Sequence, residues 1–214
     1  MAARLAGLLL SLMVCSAAWA TDLQVRVTQV DGKPLHGAVV TVHALGVAAA
    51  AAPIAAVMDQ VDLAFAPDLL VIPVGSTVSF PNTDKVSHEV YSFSSAHRFQ
   101  LGLYRGKAPP PQLFDKAGIV TLGCNIHDAM LAYILVTDAA YYGMTRADGT
   151  WVQPEVARGR YRIEVWSPRL QEPGQMLTHE IVVNPGDHAV AEIRTDKALR
   201  PAPLQQRPHS WDAY

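Results

Sequence analysis

Cys124, His127 and Met130 share one short run, Gly123-Cys124-Asn125-Ile126-His127-Asp128-Ala129-Met130, with two residues in each gap. A thiolate, an imidazole and a thioether suit a soft metal. Copper that exchanges one electron is held by two histidines and a thiolate in a trigonal plane, with a long, weak axial methionine. For one loop to supply three of these four donors, the cysteine must end a strand. The chain must then turn, present the imidazole, turn again and place the thioether beneath the metal. The second imidazole has to come from elsewhere, and His88, in Asn82-Thr83-Asp84-Lys85-Val86-Ser87-His88-Glu89-Val90-Tyr91, completes the plane from a different strand. The plainer readings are a buried small hydrophobe for Cys124, core filler for Met130 and a strand-end histidine for His88.

The metal reading gains weight from export. Residues 1–20 carry Arg4, an apolar stretch over 5–14 and Ala18-Trp19-Ala20, the small-x-small pattern of a cleaved signal peptide, so the mature chain is expected to begin near Thr21 in the periplasm. The alternative is a lipid-attachment box, Leu12-Met13-Val14-Cys15, in which Val14 is too large for its position. Removing the leader discards Cys15 and leaves Cys124 as the one thiol, which excludes a disulfide framework and a two-copper centre bridged by two thiolates. No later segment reaches the roughly 18 uninterrupted apolar residues of a membrane span.

With 17 Lys and Arg against 19 Asp and Glu, the chain is close to neutral and has no basic run to follow phosphates, which argues against nucleic-acid binding. Abundant glycine and proline among valine and isoleucine runs point to an all-β chain. Residues 23–30 alternate, reach Asp31-Gly32, and are followed by an extended stretch over 38–42, which predicts a hairpin. The alanine-rich segment 44–56 marks a boundary and reads as a linker or short helix. Short strands are expected within 63–67, 69–74 and 77–80, and irregular chain over 94–118. The strand 117–122 delivers Cys124, and 131–136 leaves as the next. Residues 159–166 alternate strictly, and 181–183 with 189–193 predict a closing hairpin. Trp151, Tyr161 and Trp166 are expected in the core. His36, His43, His97, His179 and His188 are expected at the surface, with a second, catalytic copper a minor alternative, and neither Glu89 nor Asp115 shows the pairing needed for hydrolysis.

From about Val61 to Asp138 the chain resembles a cupredoxin, the family of plastocyanin, azurin and amicyanin. The marks are Phe65-Ala66-Pro67, Val71-Ile72-Pro73-Val74-Gly75-Ser76-Thr77-Val78, Phe80-x-Asn82, His88 and the Cys124, His127, Met130 loop, whose tight spacing is similar to that of amicyanin. The resemblance implies one type 1 copper ion held by His88, Cys124, His127 and Met130, in a Greek-key β-sandwich. Many cupredoxins carry an aromatic residue two before the cysteine and an asparagine just before the first histidine. Here Leu122 and Ser87 stand at those places, so the rigidity of the ligand loop and the reduction potential do not follow from the family.

The flanks resemble a second fold. Residues 25–42, and Thr145-x-x-Asp148-Gly149-Thr150 with Gly159-Arg160-Tyr161-x-Ile163-x-Val165, are similar to the two halves of a carboxypeptidase regulatory-like, prealbumin-type β-sandwich. The implied organisation is a signal peptide at 1–20, a discontinuous sandwich at 21–55 and 139–196, a cupredoxin domain at 56–138 and a disordered tail at 197–214. The whole resembles periplasmic methylamine utilization proteins. The resemblance implies a blue copper protein that is not an enzyme. It would carry single electrons between partners such as a c-type cytochrome or an amine dehydrogenase, in amine oxidation. Ile126, Ala129 and parts of 109–111 would form an apolar docking patch. A non-redox copper chaperone or sensor is the alternative reading.

Overall fold

The computed structural model describes residues 21–46, 49–171, 174–186 and 188–201. The expectations for the leader at 1–20, Cys15 included, and for the tail at 202–214 fall outside these residues. Every regular element described is a β-strand, so the chain is all-β, and it is built as two sandwiches.

One sandwich is made from the first and last strands of the described residues. Its sheets are β14 (Thr150–Val156), β1 (Thr21–Thr28) and β17 (Ala189–Arg194), facing β13 (Tyr141–Met144), β2 (Val39–Ala44), β15 (Gly159–Trp166) and β16 (Leu177–Val183). The period-2 patterns explain the core between them. Leu23, Val25 and Val27 of β1, Ala189, Ala191 and Ile193 of β17, and Tyr161, Ile163 and Val165 of β15 are all buried in one cluster.

Neither expected hairpin forms here. The Asp31-Gly32 turn is present, closed by the Gly32 N–H to the Gln29 carbonyl at 2.9 Å. However, β1 pairs with β14 and β17, whereas β2 pairs with β13 and β15. Likewise β16 and β17 lie in opposite sheets. Alternation identifies a half-buried strand, but both sheets of a sandwich present the same alternation. It therefore cannot say whether the next strand pairs alongside or crosses to the facing sheet.

The middle of the chain forms the second sandwich. A three-stranded sheet of β10 (Gln112–Phe114), β7 (Ser76–Ser79) and β3 (Ala55–Val57) faces a five-stranded sheet of β6 (Leu69–Pro73), β12 (Leu131–Thr137), β11 (Gly118–Gly123), β8 (Tyr91–Phe93) and β9 (Arg98–Gln100). A small hairpin, β4 (Asp59–Val61) with β5 (Ala64–Ala66), turns at Asp62 and Leu63, both at positive φ. None of the described residues of the alanine-rich stretch is helical, and the stretch ends in β3. The segment read as irregular holds β9 and β10, three residues each, too short for a periodicity to register.

The five-stranded sheet is buried on both faces at its centre. Ala132, Ile134 and Val136 of β12 point into the core with Ile72, Phe80 and Val120. The intervening Tyr133 and Leu135 point the other way and pack with Val39, Trp166 and Leu170 of the flanking sandwich. Leu199 joins that contact and Arg200 donates its N–H to the Arg169 carbonyl at 2.8 Å, so these two residues of the expected tail pack against the flanking sandwich.

His97 also departs from expectation. Its ring packs at a tilt against Phe114 and Phe99, with centroids 4.6 and 5.0 Å away, and its Nε2 is buried without a hydrogen-bond partner. His43 is likewise only partly exposed, between Asp138 and Glu164 at 3.4 Å each, while His36, His179 and His188 are exposed. Burial lowers the pKa of His97, and the Asp115 carboxylate offsets this only in part. Folding therefore favours the neutral ring. The stability this gives is complete above the unfolded value of about 6.5 and is lost as pH falls toward the lower folded pKa. Replacing His97 with Phe is expected to flatten the fall in urea midpoint between about pH 7 and 5. An unchanged pH slope in the variant would show that His97 does not contribute.

Candidate metal centre

Strand β11 ends at Gly123 and hands Cys124 to a tight loop, while β12 begins at Leu131, paired directly opposite Gly123. The loop therefore has to turn back on itself between two fixed points. It does so with a turn over 127–130, closed by the Met130 N–H to the His127 carbonyl at 2.9 Å. Gly123 sits beneath the Tyr91 ring, and a Cβ there would come within 2.7 Å of it. His88 arrives from the other side, held in a two-way backbone bridge with Tyr104, both bonds 3.0 Å long.

The two segments bring three donors together. His88 Nδ1 lies 3.1 Å from His127 Nδ1, and Cys124 Sγ lies 3.8 Å from the first and 3.9 Å from the second. Among the described residues this is the group of histidine, cysteine and acidic side chains close enough to share a metal. A triangle with these sides has a centre about 2.1 Å from each corner, against metal–imidazole bonds of about 2.0–2.1 Å and metal–thiolate bonds of about 2.3 Å. The donor set fits a soft or borderline metal ion without rearrangement. Met130 is buried at the end of the same loop, in the same core cluster as Cys124, and the two border one surface pocket with Tyr91 and Phe93.

Burial is graded across the site. His88 is fully buried and Cys124 nearly so, while His127 is partly exposed beside Ile126, itself 48% exposed. Burial, together with the charge His88 can carry, lowers the pKa of His127, with Asp84 opposing. The imidazole is thereby kept in the neutral form that a metal requires.

A set of buried polar groups that sequence reading passed over supports His88. The Asn82 amide donates to the Val86 carbonyl at 3.0 Å and to the Tyr104 carbonyl at 2.9 Å, and its oxygen accepts the Asp84 N–H at 3.0 Å. The Tyr104 hydroxyl donates to the Phe80 carbonyl at 2.6 Å and accepts from Gln60, which also donates to the Pro81 carbonyl at 2.9 Å. Burial pushes the Tyr104 hydroxyl up to about 12, so it stays a donor throughout the working range. The Asp84 carboxylate meets His88 Nε2 at 3.0 Å. The four-residue spacing of Asp84 and His88 was the available signal, but it reads as a helix pair, and this loop is not helical.

No protein-family model matches the chain, and no curated protein matches it. Solved structures do align with part of it. A purple cupredoxin from Nitrosopumilus maritimus shares 23% identity over 38% of this chain and 99% of its own, with a TM-score of 0.33. A mutant amicyanin in its reduced Cu(I) form shares 21% identity over 46% of this chain and 98% of its own, with a TM-score of 0.35. A copper-containing nitrite reductase from Thermus scotoductus SA-01 shares 25% identity over 52% of this chain and 28% of its own, with a TM-score of 0.37. With TM-scores this low, what the centre can do has to be read from its own donors.

Proposed function

We propose that this chain is a periplasmic type 1 copper protein that carries single electrons between redox partners. The observation that carries the reading is the triangle of His88 Nδ1, His127 Nδ1 and Cys124 Sγ, whose sides match one metal at its centre. Bound copper supplies the one-electron couple between Cu(I) and Cu(II). The protein's residues supply everything else. His88, Cys124 and His127 would hold the copper, with Met130 as the fourth donor on the strength of its place in the loop. With Met130 as a fourth donor the coordination sphere would be closed, with no position for a substrate, which favours a carrier over an enzyme. Partly exposed His127 is the natural exit for an electron, and Ile126 beside it offers an apolar contact for a partner such as a c-type cytochrome or an amine dehydrogenase. Amine oxidation is the pathway in this reading. Residues 1–20 are read as the leader that directs export, and the flanking sandwich as a carboxypeptidase regulatory-like module that presents the copper unit.

Titration of the mature chain with Cu(II) tests this. An intense blue or violet thiolate-to-copper band that saturates at one equivalent and bleaches reversibly on reduction is the expected result. The absence of such a band overturns it. A band without electron exchange to a small cytochrome would instead assign the chain as a non-redox copper chaperone or sensor.

A further inference from the structure

Asp84 occupies an unusual position for a loop carboxylate. Its side chain is only 10% exposed, and one oxygen, Oδ2, accepts the Leu63 N–H at 2.8 Å and lies 3.0 Å from His88 Nε2. The other, Oδ1, accepts the Lys85 N–H at 2.6 Å. Leu63 is held at positive φ in the turn between β4 and β5, so Asp84 ties that hairpin to the histidine. The oxygen that accepts from Leu63 also faces Nε2, so the proton of a neutral His88 sits at Nε2 and Nδ1 is left as the free lone pair. That nitrogen is the one facing His127 and Cys124.

We infer that Asp84 is the positioning residue of the metal centre: it fixes the tautomer and direction of His88 and, through its charge, increases electron donation from His88 Nδ1. The inference rests on the copper reading above. In this chain Ser87 stands just before the histidine, and the work of fixing the loop falls to Asn82 and Asp84. A carboxylate behind a ligand imidazole makes it a better donor, and such partners typically change metal affinity by about 10–100-fold. Increased donation favours the more highly charged metal, so Asp84 lowers the reduction potential.

The test compares Asp84→Asn, Asp84→Ala and Asp84→Glu in the full mature chain. Asp84→Asn keeps an acceptor for His88 but removes the charge. It is expected to keep the visible band while weakening Cu(II) relative to Cu(I) about tenfold, which is a rise of about 59 mV for one electron. Asp84→Ala should lose Cu(II) affinity by about 10–100-fold and broaden the band, and Asp84→Glu should recover part of the potential. Potentials equal to wild type in both Asp84→Asn and Asp84→Ala would reduce Asp84 to a loop anchor and overturn the inference. Nitrogen-15 spectra of the metal-free protein separate this from failure of the copper reading. A slowly exchanging His88 Nε2–H in wild type that is lost in Asp84→Ala supports the positioning role whether or not copper binds. A His88 protonated at Nδ1 alone in wild type refutes it.

Discussion

Replacing Cys124 with Ser is expected to abolish the thiolate-to-copper band and weaken Cu(II) binding on the order of a hundredfold or more. A neutral hydroxyl replaces the softest donor, and loss of a group that only hydrogen-bonds to a ligand already costs about 10–100-fold. The fold should survive. Cys124 is 3% exposed at the end of β11, and Ser is close in size but, with both imidazole nitrogens 3.8 and 3.9 Å from Sγ, buries a hydroxyl without a direct partner, so a stability loss of about 1–3 kcal/mol is expected. Optical titration and thermal unfolding of the same sample read the two effects separately. Full retention of the band would mean that copper binds elsewhere, and the donor triangle would lose its assigned role. His88 and His127 alone make a two-nitrogen site, which still binds Cu(II) but lacks the sulfur that gives the intense transition.

The second large effect lies at the junction of the two sandwiches. Trp166→Ala is expected to cost about 3–5 kcal/mol, the range for truncating a buried aromatic side chain. Trp166 is 3% exposed and meets Tyr133 edge-on, with centroids 5.5 Å apart and planes at 67°. It closes the cluster with Val39, Leu135 and Leu170 that covers the outer face of the five-stranded sheet. None of His88, Cys124 and His127 takes part in that cluster, so the copper band should persist in the variant at low temperature. On heating, loss of the band and loss of far-ultraviolet dichroism should separate into two transitions. In the wild type they are expected to coincide, because the junction couples the units. A single, unshifted transition in the variant would show that the junction contributes little. The position of this contact also bears on access: the flanking sandwich covers the sheet face and leaves partly exposed His127 and Ile126 outside the contact cluster.

Much of this molecule could be read from residue types and short spacings. Strand existence followed from period-2 burial, because a strand that is wet on one face must alternate, as 21–28 and 159–166 do. The loop from Gly123 to Met130 could be read because its donors are local in sequence and the chemistry of a soft metal restricts them to a few residue types. Where the reading went astray, the missing information was partnership between distant segments. The Asp31-Gly32 turn was legible, but the crossing of β2 to the facing sheet was not, since strand pairing is settled by which neighbours bury the same face. His97 was read as exposed because nothing nearby marked it, and only the packed sandwich brings Phe99 and Phe114 against its ring.

At the centre itself, the sequence alone determined the donor types and their spacing in one loop, because turn geometry and donor chemistry act over a few residues. Only the tertiary structure decided how His88 meets that loop, with its Nδ1 placed 3.1 Å from that of His127. It also decided that the buried Asp84 carboxylate stands behind it. The physical reason is that metal spacing between two strands, and the hydrogen bond that selects an imidazole tautomer, are set by long-range packing of β8, β11 and the hairpin at Leu63. No local pattern encodes either of them.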